Sequence, residues 1–199
     1  PRAASQYIPS ASYSTQDGLP SNTILSLFQD AGGYLWIGTN NGLSRYDGAQ
    51  FTTFSTVQGL SNNWITDIAE SPVEPGTLWI GTIAGGVNRI RKGVVSVFRP
   101  GGDDASNNIS SVVVDTSGTV WATTFFGLFT IRDGHLERFA QTDIPHAEHL
   151  LALDDGSVWL AGDDQLLCLH PNDSLWTSVM LPPTRGGRIT EIAKCESGG

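Results

Sequence analysis

Leu35-Trp36-Ile37-Gly38-Thr39 returns as Leu78-Trp79-Ile80-Gly81-Thr82 and, more loosely, as Val120-Trp121-Ala122-Thr123-Thr124 and Val158-Trp159-Leu160-Ala161-Gly162. The four tryptophans stand 43, 42 and 38 residues apart. Short apolar runs, split by Gly, Asn and Asp and repeating at about 40 to 50 residues, are the signature of β-propeller blades. Leu, Trp and Ile in succession leave no polar face, as a strand buried on both sides by neighbouring sheets requires. The tryptophan supplies a large, stiff contact between blades, and Gly38 and Gly81 leave room for the adjacent sheet.

Outward from this strand, residues 18–58 read as one blade. Ile24 to Phe28 forms a first strand, Asp30 to Gly33 a turn, Leu35 to Thr39 the second strand and Asn40-Asn41-Gly42 the next turn. Leu43 to Tyr46, the two-residue hairpin signal Asp47-Gly48 and Phe51 to Phe54 complete an antiparallel meander. Residues 59–104 repeat the scheme with a longer first hairpin holding Pro72, Glu74 and Pro75. Further units follow at about 105–145 and, in degenerate form, 146–187. Tyr13 to Gly18 aligns with Phe54 to Gly59, and Ile189 to Gly199 with Ile109 to Thr119. Residues 1–17 and 188–199 therefore read as parts of further blades, and the chain as an all-β segment of a larger propeller. Seven blades would need roughly 290 residues.

Thirty-nine per cent hydrophobic residues exclude a disordered composition, and 20 acidic against 11 basic residues give a net charge of -9. No cluster of Lys or Arg stands out, which disfavours nucleic acid and anionic membrane surfaces as partners. Cys168 and Cys195 are too few for a disulfide scaffold, and no 18-residue apolar span is present. Metal and catalytic signals are absent. His135, His146, His149 and His170 do not form a ligand set, and the pairs Asp103-Asp104, Asp154-Asp155 and Asp163-Asp164 sit in turns without a calcium-loop pattern. No cofactor motif occurs.

The pattern Gly18-Leu19-Pro20-Ser21-Asn22, then Asp30-x-x-Gly33-x-Leu35-Trp36-Ile37-Gly38-Thr39-x-x-Gly42-Leu43-x-Arg45-Tyr46-Asp47-Gly48, resembles the regulator-propeller repeats of hybrid histidine kinases and some membrane-bound diguanylate cyclases. The likeness is densest over 18–58 and 59–104. It implies a seven-bladed periplasmic propeller, joined in the parent protein to a β-sandwich, a transmembrane helix and a cytoplasmic output domain. It brings no catalytic residues with it.

A ligand site is sought among departures from the repeat, since packing does not explain them. The loops from fourth strand to next blade and from second to third strand share one face. On that face fall Asn40, Asn41, Trp64, Phe125, Phe126, Asp163 and Asp164. Aromatics beside Asn and Asp suit a carbohydrate or peptide. Exposed strand edges at the ends would meet the rest of the receptor or another chain. The expected role is an extracytoplasmic sensory, ligand-binding segment of a two-component-type receptor, without enzymatic activity of its own. The alternatives are a propeller enzyme, since Pro75 to Thr82 is also similar to sialidase-like and exo-acting glycanase repeats, and an interaction scaffold. Convergent carboxylates or a perturbed histidine in the central funnel would favour the enzyme.

Overall fold

The computed structural model describes residues 11–99, 107–139, 147–162, 165–171, 173, 175–179, 189 and 192–194. The pair Asp103-Asp104, His146 and Cys195 lie outside these residues, while Cys168 is buried. The first sheet holds β1 (Ile24–Gln29), β2 (Leu35–Thr39), β3 (Gly42–Tyr46) and β4 (Phe51–Phe54). The second holds β5 (Ile65–Glu70), β6 (Thr77–Thr82), β7 (Gly86–Arg91) and β8 (Val94–Phe98). The third holds β9 (Ile109–Val114), β10 (Val120–Thr124), β11 (Gly127–Arg132) and β12 (His135–Arg138). The fourth holds β13 (His149–Ala152), β14 (Val158–Ala161), β15 (Leu166–Leu169) and β16 (Thr177–Val179). Every sheet is an antiparallel meander in chain order, and each first strand packs on the next one: β1 on β5, β5 on β9, β9 on β13. This is the all-β propeller architecture expected from the repeat.

The hydrophobic core is three seams, one between each pair of neighbouring sheets. Trp36 and Leu43 meet Ile65, Ile68, Leu78 and Ile80 in the first seam. Trp79, Val87 and Phe98 meet Val112, Val114 and Val120 in the second, and Trp121 and Leu128 meet Leu150, Val158 and Leu160 in the third. Along β6, Leu78 and Ile80 face backward and Trp79 faces forward, so all six residues of the strand are buried although side chains alternate. Each tryptophan also stacks within its own sheet on the aromatic near the end of the fourth strand: Trp36 on Phe54 at 5.6 Å, Trp79 on Phe98 at 5.3 Å, Trp121 on Phe139 at 5.2 Å. Trp159 differs. It is half-buried and lines a cleft of about 500 Å³ between the fourth sheet and Ile192, Ala193 and Lys194.

The glycine two residues after the tryptophan has a steric reason. A Cβ at Gly38 would stand 2.8 Å from Ile65 Cγ2 of the next sheet, and one at Gly81 would stand 2.8 Å from Ile109 Cγ2. The third sheet carries Thr123 there instead, with its hydroxyl donating to the Glu148 carbonyl at 3.3 Å. The next first strand answers with a small residue. Ala147, fully buried, stands two residues before His149, as Ile65 and Ile109 stand before Asp67 and Ser111.

The Asp of Asp-x-x-Gly-x-[Leu/Val]-Trp opens the turn as expected, and it does more. Asp30 Oδ1 accepts from Tyr34 N at 2.9 Å while Oδ2 accepts from the Trp36 indole N–H at 2.7 Å. Asp115 repeats both bonds with Thr119 N and the Trp121 indole, at 3.0 and 2.9 Å. A buried indole N–H needs a partner, and the turn residue provides it. In the fourth sheet Leu153 holds the Asp place, and Ser157 Oγ accepts from the Trp159 indole at 3.3 Å.

One turn departs from expectation. Asp47-Gly48 is not a two-residue hairpin: Tyr46 pairs with Phe51, so Asp47 to Gln50 form a four-residue loop in which Asp47 Oδ1 accepts from the N–H groups of Ala49 and Gln50. A side-chain-capped turn of this kind uses the same Asp for a different bond pattern. Lys92-Gly93 and Asp133-Gly134, with φ of 50° and 78° and of 49° and 79°, are the two-residue type.

Candidate functional site

The connections into the first and second blades are built from a short local motif. Ser14 and Ser55 cap single 3-10 turns, Thr15–Asp17 and Thr56–Gln58, whose third residues bond back to the cap, and Gly18 and Gly59 close them at φ 109° and 101°. Both serines, with Asp17 or Gln58 three residues on, form capping boxes. Asn22 and Asn63 then accept from Thr15 N and Thr56 N at 2.9 and 2.8 Å, so this recurring Asn is a turn former.

These connections and the loops between second and third strands do share one face. Gly42 N donates to the Asn63 carbonyl at 2.7 Å, Asn41 Nδ2 to the Pro20 carbonyl at 3.1 Å, and Ala84 N to Asn108 Oδ1 at 2.6 Å. Asn41 therefore ties its loop to the connection in front of it, and Asn40 is half-buried beside it. Trp64 is 47% exposed, and Phe125 and Phe126, 58% and 43% exposed, meet edge to face at 5.5 Å. Trp64 and the phenylalanine pair belong to consecutive blades, separated along this face by the loop over residues 83–85. Asp163 and Asp164 lie outside the described residues.

A second constellation escaped the sequence reading. The first strands carry a polar residue at one shared register position: Ser26 opposite Gly38, Asp67 opposite Gly81, Ser111 opposite Thr123 and His149 opposite Ala161. A bulge just before it in β1, β5 and β9 changes the side-chain parity, which lets Ile65 face backward while Asp67 faces forward. Asp67 Oδ2 accepts from Ser111 Oγ at 2.8 Å and Val112 N at 2.9 Å, and Oδ1 from Ile68 N at 2.9 Å. Ser111 Oγ in turn accepts from Leu150 N at 3.3 Å, so hydrogen bonds run from the second sheet through the third to the fourth. The only hint in the sequence was a polar residue two places after each first-strand isoleucine.

Burial pushes the Asp67 carboxyl above the ordinary value of 3.8; the Val112, Ser111 and Ile68 hydrogen bonds and the His149 charge pull the other way. A raised folded-state pKa favours the protonated folded form. Its contribution to stability is complete below the unfolded value and is lost as pH rises through the raised one. The unfolding free energy of the wild type minus that of Asp67→Asn should therefore fall as pH climbs above about 4. The Asn reference cancels every contribution common to the two proteins. A flat difference in pH-resolved urea unfolding would contradict the raised carboxyl.

The motif chain of the first sheet, from the Gly18 turn closure through the Asp30 cap to the Gly38 joint, is the stretch that comparison with known families picks out. Its residues 18–41 match the family model described as Two component regulator propeller. The match spans 24 of the 199 residues. Beyond the regulator-propeller repeat itself, solved structures share the fold. The extracellular domain of the hybrid two component system BT3049 from B. thetaiotaomicron superimposes with a TM-score of 0.67 and 22% identity, over 85% of this chain and 26% of that one. Virginiamycin B lyase from Staphylococcus aureus gives 0.66 and 12%, over 84% and 58%. PorZ, a surface component of the type-IX secretion system of Porphyromonas gingivalis, gives 0.65 and 17%, over 92% and 30%. The chain thus spans about a quarter of that extracellular domain of BT3049. No curated protein sequence matches it. Among the described residues no helix is long and apolar enough to cross a membrane, and no three His, Cys, Asp or Glu side chains cluster as metal ligands.

Proposed function

We propose that this propeller segment is the ligand-recognising part of an extracytoplasmic sensor in a two-component-type receptor, and that it takes its ligand on the loop face. The observation that carries the reading is the exposure of Trp64, Phe125 and Phe126 on that face, where the repeat calls for none of them. Exposed aromatics, with Asn62 beside Trp64, suit sugar rings or an extended peptide, which bind through apolar faces and hydrogen bonds together. Likeness to extracellular domains of two-component systems supports the setting. Binding would act by differential affinity for two states of the receptor.

The test is titration of the chain with panels of oligosaccharides and peptides, read by tryptophan fluorescence and calorimetry. A true ligand loses at least about tenfold in affinity on Trp64→Ala or Phe125→Ala. Unchanged affinity in both variants, or unchanged output of the full receptor after deletion of the segment, overturns the reading. The second reading, a propeller enzyme, has one supporting observation: the raised Asp67 carboxyl with the His149 charge in reach on the inner strands. Turnover of a glycan substrate that vanishes in Asp67→Asn would favour it.

A further inference from the structure

We propose that the cleft between the inner strands binds a small organic cation, a protonated primary amine with an apolar body, whose ammonium group rests on the Asp67 carboxylate. This cleft of about 260 Å³ is lined by first strands of all four sheets, from Phe28 through Ile68 and Val112 to Leu150. Its lining lies in the middle and latter half of those strands, ending at Glu70, Val114 and Ala152. It therefore stands apart from the loop face, where the strands begin. The walls are apolar, and the only ionisable side chains among the lining residues are Asp67 and Glu70; none is basic.

The two carboxylates are not equivalent. Glu70 has an oxygen on Ala31 N and the other on Gly76 N, each at 2.7 Å, and so braces two turns. Asp67 is anchored by three donors, two on Oδ2 and one on Oδ1. Each carboxylate oxygen accepts two bonds, so Oδ1 keeps one position open. The anchoring donors are neutral, and His149, whose charge favours the ionised carboxyl, is not among the residues lining the cleft, so within the cleft the opposite charge that a desolvated anion requires is left to a ligand. A cleft walled by low-dielectric side chains and carrying charge of one sign concentrates its field on a cation.

Calcium or magnesium does not match this geometry, because each needs about six oxygen ligands and the cleft offers two carboxylates whose oxygens already hold five donors. An ammonium group needs one strong acceptor and room for its substituent. A cavity of about 150 Å³ holds a benzene ring, so this cleft takes one ring on a short alkyl arm. Ile68, Val112 and Leu150 form the apolar surface against which that ring would lie.

Benzylamine and its neutral counterpart benzyl alcohol, titrated into the full chain at neutral pH and followed by methyl NMR, test the proposal. Benzylamine should shift the methyl signals of Ile68, Val112 and Leu150 and bind at least about tenfold tighter than the alcohol. Asp67→Asn should erase that preference, and Trp64→Ala should keep it while weakening the loop-face ligand. Equal affinity of amine and alcohol for the wild type overturns the proposal whether or not Asp67→Asn folds. So does an amine preference that survives in Asp67→Asn, a response confined to loop-face signals, or no saturable response up to the solubility limit.

Discussion

Trp121→Ala lowers the unfolding free energy by about 3–5 kcal/mol, whereas Trp64→Ala changes it by no more than about 0.5 kcal/mol. The two residues are the same chemically and differ in where the repeat puts them. Trp121 is 5% exposed, sits in the third seam, and touches both Phe139 at 5.2 Å and Trp176 at 5.8 Å. Removing it opens a cavity between two sheets that rigid strands cannot collapse into, and it also strands the Asp115 oxygen that the indole N–H reaches. Trp64 projects from the start of β5 with nearly half its surface in solvent. Urea midpoints of the two variants measure the contrast. Comparable losses would mean that Trp64 packs a seam after all and would remove it from the ligand face.

Gly81→Ala costs about 1–3 kcal/mol, from one added methyl group. Its Cβ would meet Ile109 Cγ2 and Thr66 Oγ1, each at 2.8 Å, and both neighbours are β-branched side chains with little rotamer freedom. Thr66 sits at the bulge of the same sheet and Ile109 on the next, so the joint relaxes by shifting Thr66 and by parting the second and third sheets. Ile109→Ala alone costs about 2–5 kcal/mol by leaving a hole in the same place. Combined, the two substitutions partly fill each other's fault, and their coupling should exceed about 0.5 kcal/mol in the favourable direction. A strictly additive pair, measured by the same unfolding curves, would show that the two side chains do not share the joint.

The fold was legible because its decisive features are local and periodic. Trp36, Trp79 and Trp121 mark the seams, Gly38 and Gly81 mark close approach, and the turn aspartates mark strand ends; all are readable at one residue spacing. The capping boxes at Ser14 and Ser55 were equally local, with Asp17 and Gln58 at the right offset and a glycine behind, and were recoverable from that spacing alone. The Asp67, Ser111 and His149 alignment was not. It depends on bulges that reverse side-chain parity in β5 and β9, and on contacts across 44 residues between Asp67 and Ser111. A one-residue irregularity of this sort leaves no mark in composition, yet it decides which side of a strand is polar. On the loop face, topology brought Asn40, Asn41, Trp64, Phe125 and Phe126 to one side, but only the bond from Asn41 to the Pro20 carbonyl reveals that this asparagine is engaged in closing the loop.

The joints at Gly38, Gly81 and Thr123 make the blades ordered parts and not interchangeable tiles. At the first two joints the preceding blade withdraws and an isoleucine advances; at the third, a threonine advances and Ala147 withdraws. If the fourth unit were placed behind the first, Ala147 would face Gly38 and leave a void. If the second unit were placed behind the third, Ile65 would collide with Thr123. The units are similar in sequence, and the complementary volumes at their joints encode which unit follows which.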